Sequence, residues 1–371
     1  VKSVYVGDIW DLKNKIGPMV SLPDKTLDKA LNTLEKDEYW LVPPKIDNLN
    51  PKIIYPSIKW DVKTDSYSFN TELFGPVLSV VSYTGGIKEA VRIANLPGFG
   101  LTGAIESLDK SEIAYWKENI IAGNIYINRP STGAIVQRQA FGGYRKSSIG
   151  AGIKAGGPNY ALQFVDFKPK TNFELVNVPL FYQEFFTNIQ EHPVWRDKID
   201  FQKLSYAVNS YQDNYQAYFS KEWDLSNIIG EHNILKYRTF DKIIIRITTK
   251  DDLTDILMCV SACLVINCPF ELNFELECES YEFFEGFMDY FPSIKNLFDT
   301  DEDLIKRLNY GIRIRSISEE HVSEKLLDST SKQGYYICSE KPSENGRLEL
   351  LNYLKEQSIS NRYHRYGNLG V

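Results

Sequence analysis

No histidine and no cysteine occurs in the first 190 of the 371 residues. That absence excludes a Ser-His-Asp triad, a Cys-His dyad or a zinc cluster built within the first half, since each needs an imidazole or a thiolate. Positive charge is not in surplus either. The formal charge is -7, the reverse of the basic footprint a nucleic-acid partner requires. No run of about 18 apolar residues is present to cross a bilayer as a helix, the start has no signal-peptide pattern, and no period of about 20–50 residues marks a solenoid. All five cysteines, Cys259, Cys263, Cys268, Cys278 and Cys338, lie in the second half. An odd number in apolar or strand-like surroundings suits a reducing cytoplasm better than a disulfide framework. Cys259 and Cys263 are one helical turn apart, but no neighbouring Cys or His pair completes a metal-ligand pattern, so no metal site is expected.

What is present is an ordinary globular composition, 43% hydrophobic, 13% aromatic and 25% charged. The length calls for two cores. Residues 24–36 place Leu27, Ala30, Leu31 and Leu34 on one helical face. The runs IIYPSIKWDV and LFGPVLSVVSY read as strands, Ile87–Leu96 as a helix stopped by Pro97-Gly98, LTGAIESL as a strand, SEIAYWKENIIAG as a helix and NIYINR as a strand. This alternation predicts an α/β sheet with helical crossovers. NYALQFVDF reads as one more strand before polar residues 168–174, where the boundary between a first domain, 1–170, and a second, 171–371, is expected. The second half continues with helical, aromatic-rich segments. DKIIIRIT, DDLTDILMCVSACLVIN and FELNFELE then predict a β-α-β unit with a buried first strand and an alternating second one. IRIRSIS and QGYYICS read as short strands, and RLELLNYLKEQS as an amphipathic helix. The turn after IIIRIT, Thr249-Lys250-Asp251-Asp252, has no glycine to admit a pyrophosphate, so the unit is Rossmann-like without the cofactor fingerprint and suits packing or lid duty. GYRKSSIGAGIKAGG is glycine-rich but matches neither phosphate-loop spacing.

Glu72-Leu73-Phe74-Gly75-Pro76-Val77 resembles the E-x-F-G-P-V motif of aldehyde dehydrogenases, and GLTGAIES, AGNIYIN and AFGG follow in that family's order. STGAIVQRQAFGG followed by KAGGPNYALQF is similar to the L-glutamate γ-semialdehyde (1-pyrroline-5-carboxylate) dehydrogenase branch. EYWLVPPK and YLKEQSISNRYHRYGNLG resemble the bacterial bifunctional proline utilisation A proteins. The resemblance is carried by residues 1–168 and is looser over 175–371. It implies the carboxy-terminal part of an aldehyde dehydrogenase catalytic domain followed by a Rossmann-like, truncated dehydrogenase-like domain.

The resemblance also implies roles. Glu72 would hold the nicotinamide ribose hydroxyls of NAD, and Phe74 would brace the nicotinamide; the alternative is a surface turn residue and a core aromatic. Gly133 and Ala134 would bind the substrate carboxylate through backbone amides, with Ser131 and Thr132 supporting the loop, and Phe141 would wall the substrate's aliphatic stem or simply anchor the Gly142-Gly143 turn. Arg129, Gln137 and Arg138 read as surface or interface groups rather than ligands. No residue here matches the family's nucleophilic cysteine, which is expected upstream of VYVGDIWD, so this chain would be inactive by itself. Its partners would be L-glutamate γ-semialdehyde, an upstream half of the same polypeptide with an FAD-dependent proline dehydrogenase domain, and further copies in a homo-oligomer, since NYALQFVDF resembles an interface strand. No nucleic acid and no integral membrane segment are implied, and the location would be cytoplasmic, with the proline dehydrogenase domain able to bring it to a membrane surface. The tail NRYHRYGNLGV is expected to pack on the dehydrogenase surface. A non-catalytic scaffold or lid, or a dehydrogenase for another carboxylate-bearing aldehyde, are the alternatives.

Overall fold

Asp24 accepts the Leu27 amide at 2.7 Å and starts a helix, α1 (Lys25–Asn32), that buries Leu27, Ala30 and Leu31. The helix stops before Leu34, which is left exposed instead of joining that face. The computed structural model describes residues 1–168, 170–290 and 295–363. Their contacts divide the chain into two units, 1–98 with 114–120, and 99–113 with 121–371. The boundary expected near residue 170 falls inside the second unit, because a strand from the far end of the chain pairs with strands before it.

In the first unit, β1 (Tyr39–Val42), β2 (Ser57–Trp60) and β3 (Val77–Ser79) form a three-stranded sheet in that order, with β2 and β3 parallel. The strand expected over 73–83 is confined to β3. A buried Lys59 holds the sheet against the chain around it. Its ammonium donates to Thr33 O at 2.9 Å and Ser68 Oγ at 2.8 Å, and Glu38 lies 3.8 Å away. The expected helix at Ile87 is α2 (Gly86–Asn95).

The second unit holds two five-stranded sheets. Its labelled elements, in chain order, are β4 (Thr102–Ile105), β5 (Asn124–Ile127), α3 (Leu180–Glu191), α4 (Phe201–Asn214), β6 (Trp223–Asp224), β7 (Glu231–Thr239), β8 (Lys242–Ile247), α5 (Leu253–Val265), β9 (Phe270–Phe274), β10 (Asn296–Phe298), β11 (Ile312–Ser316), β12 (Ile337–Cys338) and β13 (Leu354–Arg362). One sheet has the order β6-β7-β13-β5-β4, and the other β10-β9-β8-β11-β12 with every pairing parallel.

Three expectations are corrected. RLELLNYLKEQS is helical only through Asn352, and from Leu354 it becomes β13, paired antiparallel to β7 over nine residues and parallel to β5. NYALQFVDF is a 3-10 turn, Tyr160–Phe164, whose residues are mostly exposed; a strand needs a pairing partner, and no strand among the described residues pairs with it. FELNFELE does not alternate: β9 is buried from Glu271 to Phe274 because it lies inside a parallel sheet. Glu271 is accommodated there by Lys242 at 3.0 Å and Arg307.

The parallel sheet reverses its strand order between β8 and β11, the place where such sheets bind ligands at their carboxyl ends. Here the loop after β8 brings carboxylates to that end of the sheet. Asp252 accepts the Thr254 and Asp255 amides at the start of α5, and Asp251 accepts the Thr248 amide and faces His321 Nδ1 at 2.5 Å. Of the tail, Arg362 ends β13 and Tyr363 stacks on His232; residues 364–371, on which most of the expected tail contact falls, lie outside the described residues.

Candidate functional site

The Glu72–Val77 turn belongs to the first unit. Gly75 is held where a Cβ would lie 2.4 Å from Leu27 Cδ2, so the glycine lets the turn close onto the buried leucine of α1. Pro76 O accepts the Ser57 amide at 2.9 Å, which ties the turn to β2. Anchored from behind in this way, the turn leaves Glu72 exposed and Phe74 77% exposed. An isolated phenylalanine is costly to leave in water, and an adjacent carboxylate is a bidentate acceptor for a diol. The pair therefore has the chemistry for a ribose and a flat ring, and within this chain Phe74 is exposed and not part of a core.

The second unit carries Thr132, Gly133, Ala134 and Phe141. Gly133 has φ 78°, a left-handed backbone that disfavours a side chain, and Thr132 beside it is exposed. Among the described residues no hydrogen bond uses the amides of Gly133 or Ala134, while the Ile135 amide is taken by Gln139 Oε1 at 2.8 Å. Two free, consecutive amides next to a positive-φ glycine suit a carboxylate. Phe141 exchanges both backbone hydrogen bonds with Ala155 and is 36% exposed as a residue, so it anchors the turn and still leaves part of its surface open.

The loop's support was not foreseen. Gln139, 3% exposed, donates to Asn233 Oδ1 at 2.6 Å on β7. Arg129, expected at a surface or interface, is 6% exposed: it lies 3.2 Å from Glu231, donates to Ser360 Oγ at 2.5 Å and packs over Tyr126. Ser360 in turn donates to Asn233 at 2.8 Å, and Arg362 approaches Glu231 at 3.4 Å. Burial pushes the Glu231 carboxyl pKa up, but the Asn233 hydrogen bond and the two arginines outweigh it, so the net shift is downward. The polar groups that Arg129 and the Gln139 amide nitrogen reach lie on β7 or β13, roughly 90 to 230 positions along the chain, beyond any local motif.

None of the five cysteines resembles a nucleophile. All are free and buried, and burial pushes their thiols up, to about 12 for Cys259 and Cys268; a nucleophilic thiol needs the opposite shift.

Residues 1–169 match the aldehyde dehydrogenase family. The chain is 33% identical over 162 residues to 1-pyrroline-5-carboxylate dehydrogenase 1 of Halalkalibacterium halodurans, covering 43% of this chain and 30% of that protein. It is 39% identical over 178 residues to the 1-pyrroline-5-carboxylate dehydrogenase of Bacillus cytotoxicus, covering 47% and 33%. Among solved structures, Proline Utilization A (PutA) from Corynebacterium freiburgense superposes on 98% of this chain and 33% of its own, with a TM-score of 0.77 at 30% identity. The chain thus spans about a third of the length of each of these relatives. Residues 1–169, somewhat under half of this chain, are thus the part that is similar to the aldehyde dehydrogenase family.

Proposed function

We propose that this chain is the carboxy-terminal portion of an NAD-dependent dehydrogenase that oxidises L-glutamate γ-semialdehyde, the open form of 1-pyrroline-5-carboxylate, to L-glutamate, in a polypeptide whose upstream part also carries an FAD-dependent proline dehydrogenase. The observation that carries this reading is the Thr132–Ala134 turn, which offers two unused amides and no competing charge. Likeness to two 1-pyrroline-5-carboxylate dehydrogenases and to PutA supports it.

The residues of this chain bind and orient. The Gly133 and Ala134 amides take the substrate's α-carboxylate, Phe141 lies along its aliphatic stem, Glu72 accepts from the ribose hydroxyls and Phe74 flanks the nicotinamide. Bound NAD supplies hydride acceptance. The attacking thiolate comes from an upstream cysteine, since the cysteines here are buried and protonated. The isolated chain is therefore inactive.

The test is Gly133→Val in the full-length polypeptide. A β-branched residue at φ 78° is strained by about 1–3 kcal/mol and displaces the amides. The KM for 1-pyrroline-5-carboxylate should rise at least about tenfold, equivalent to about 1.4 kcal/mol, with NAD affinity unchanged. Unchanged kinetics would overturn the anchor. Equal rates with simple aliphatic aldehydes would overturn the substrate class, because the carboxylate would then contribute nothing.

A further inference from the structure

Ala155 closes the Phe141 turn, and the residue before it is a lysine in the core: Lys154 is 1% exposed. Its amine donates to Gly142 O, the carbonyl next to Phe141, which also accepts from Asn124 Nδ2 of β5 at 3.1 Å. Room for this contact comes from Gly123, in the AGNIYIN run, where a Cβ would lie 2.0 Å from Gly142 O and 2.7 Å from Lys154 Nζ. Burial lowers the Lys154 pKa to about 7, with Glu356 opposing the shift. A neutral amine still donates, so the bond to Gly142 O does not depend on the charge. Methionine would fill the same space without burying an amine, and space alone therefore does not account for the lysine.

The Lys154 backbone is gripped as well. Glu356 of β13, itself buried, accepts the Lys154 amide with Oε2 at 2.7 Å, and its other oxygen accepts from Asn159 Nδ2. Asn159 is fully buried and fixed in turn: it donates to the Tyr237 hydroxyl of β7 at 2.8 Å, and an Arg347 nitrogen donates to its Oδ1 at 2.6 Å. On the other side of Phe141, Ser358 Oγ of the same β13 donates to Ala140 O. Three successive carbonyls are thereby held, Ala140 by Ser358, Phe141 by the Ala155 amide at 3.0 Å, and Gly142 by Lys154. Pinned on both sides, the backbone gives the partly open Phe141 a fixed base.

We propose that Lys154 and Glu356 form a brace that positions Phe141 and so sets how tightly the aliphatic stem of the aldehyde is held. Both are positioning residues, since neither meets a reacting atom. The brace rests on the reading of Phe141 as a wall of the aldehyde pocket. A displacement of about 1 Å in such a wall is enough to weaken binding, whereas the cofactor contacts assigned to Glu72 and Phe74 use other residues.

The test is a double-mutant cycle in the full-length polypeptide, with Lys154→Met and Phe141→Ala alone and together, each first shown by circular dichroism to be folded. Lys154→Met should raise the KM for 1-pyrroline-5-carboxylate about three- to tenfold, with kcat and the Kd for NAD within about twofold, a split that general destabilisation would not give. Phe141→Ala should raise the same KM, and adding Lys154→Met to it should change KM by no more than about twofold, because the brace then has no ring to position. Independent effects that multiply in the double variant, or a Lys154→Met that lowers kcat as much as it raises KM, overturn the brace. If Phe141→Ala raises KM and Lys154→Met does not, the pocket reading stands and the brace alone is overturned; if Phe141→Ala leaves KM unchanged, the wall and the brace fall together. Should Lys154→Met not fold, Glu356→Gln decides by the same cycle, since it keeps the shape but leaves one oxygen where Lys154 and Asn159 use two.

Discussion

The turn at Glu72–Val77 and the loop at Arg129–Gln139 both present candidate ligand groups at the surface, but they are held in opposite ways. The first rests on apolar packing from within the first unit, with Leu27 of α1 closed against Gly75. The second rests on a buried polar network supplied by β7 and β13, in which Gln139, Arg129, Glu231, Asn233 and Ser360 are joined by hydrogen bonds and an ion pair. Apolar support is graded and forgiving, since its cost follows buried area and local relaxation. A polar network fails abruptly when one member is lost, because the remaining groups are left buried and unpaired. The Arg129–Gln139 loop should therefore depend on the far end of the chain, and the Glu72–Val77 turn should not.

Arg129→Met is expected to have the largest effect. Breaking a buried pair costs about 3–5 kcal/mol, and Arg362 still serves Glu231, so a loss of about 3 kcal/mol in urea unfolding is expected. The pH dependence should change with it. The Glu231 carboxyl is held below its ordinary value of 4.5, so its stabilising contribution is fully present above that value and is lost as pH falls through its folded-state pKa. Acidification should remove more stability from the parent than from the variant. NAD affinity should stay within about twofold, a difference near 0.4 kcal/mol; a large drop would erase the contrast between the two sites.

Gly75→Val attacks the other side. Its Cβ would lie 2.4 and 2.7 Å from the two Leu27 methyl carbons, an overpacking that costs about 1–3 kcal/mol. NAD affinity should fall while the KM for the aldehyde holds, the mirror image of Gly133→Val. Gln139→Leu should cost about 1–2 kcal/mol, leaving the Ile135 amide without its acceptor. Its signature is a raised KM for the aldehyde at nearly unchanged kcat, which simple destabilisation would not produce.

The same contrast explains what could be read from the chain alone. α1, α2, β4, β5, β8 and α5 are local objects, announced by spacing, caps and stop signals, and they appear where expected. β13 is different. Its residues Glu356, Gln357, Ser358 and Ser360 are polar yet buried in the middle of a sheet, so no apolar period marks it and the preceding leucines suggest a helix. Each polar group is satisfied from a distance: Glu356 by the Lys154 amide, Gln357 by Ala122 O, and Ser358 by Ala140 O. Glu72, Phe74 and Gly133 stand out because they fall in short contiguous motifs that resemble the aldehyde dehydrogenases, and such motifs are legible along the chain. Arg129 and Gln139 are not, because what makes them important is pairing with residues that fold brings near.

Phe74→Ala should have the smallest effect on folding and for that reason separates most sharply. With the ring 77% exposed, removing it should change stability by no more than about 0.5 kcal/mol. A ring that flanks the nicotinamide contributes to binding only when the cofactor is present, so NAD affinity should fall by about 1–2 kcal/mol, roughly five- to thirtyfold. Measured together, chemical denaturation and NAD titration distinguish a ring kept for a ligand from a ring kept for packing. Comparable losses in both would mean that Phe74 is packed in the native protein. No loss in either would leave Gly75, closed against Leu27, as the reason for the turn's shape and remove the cofactor contact from this part of the chain.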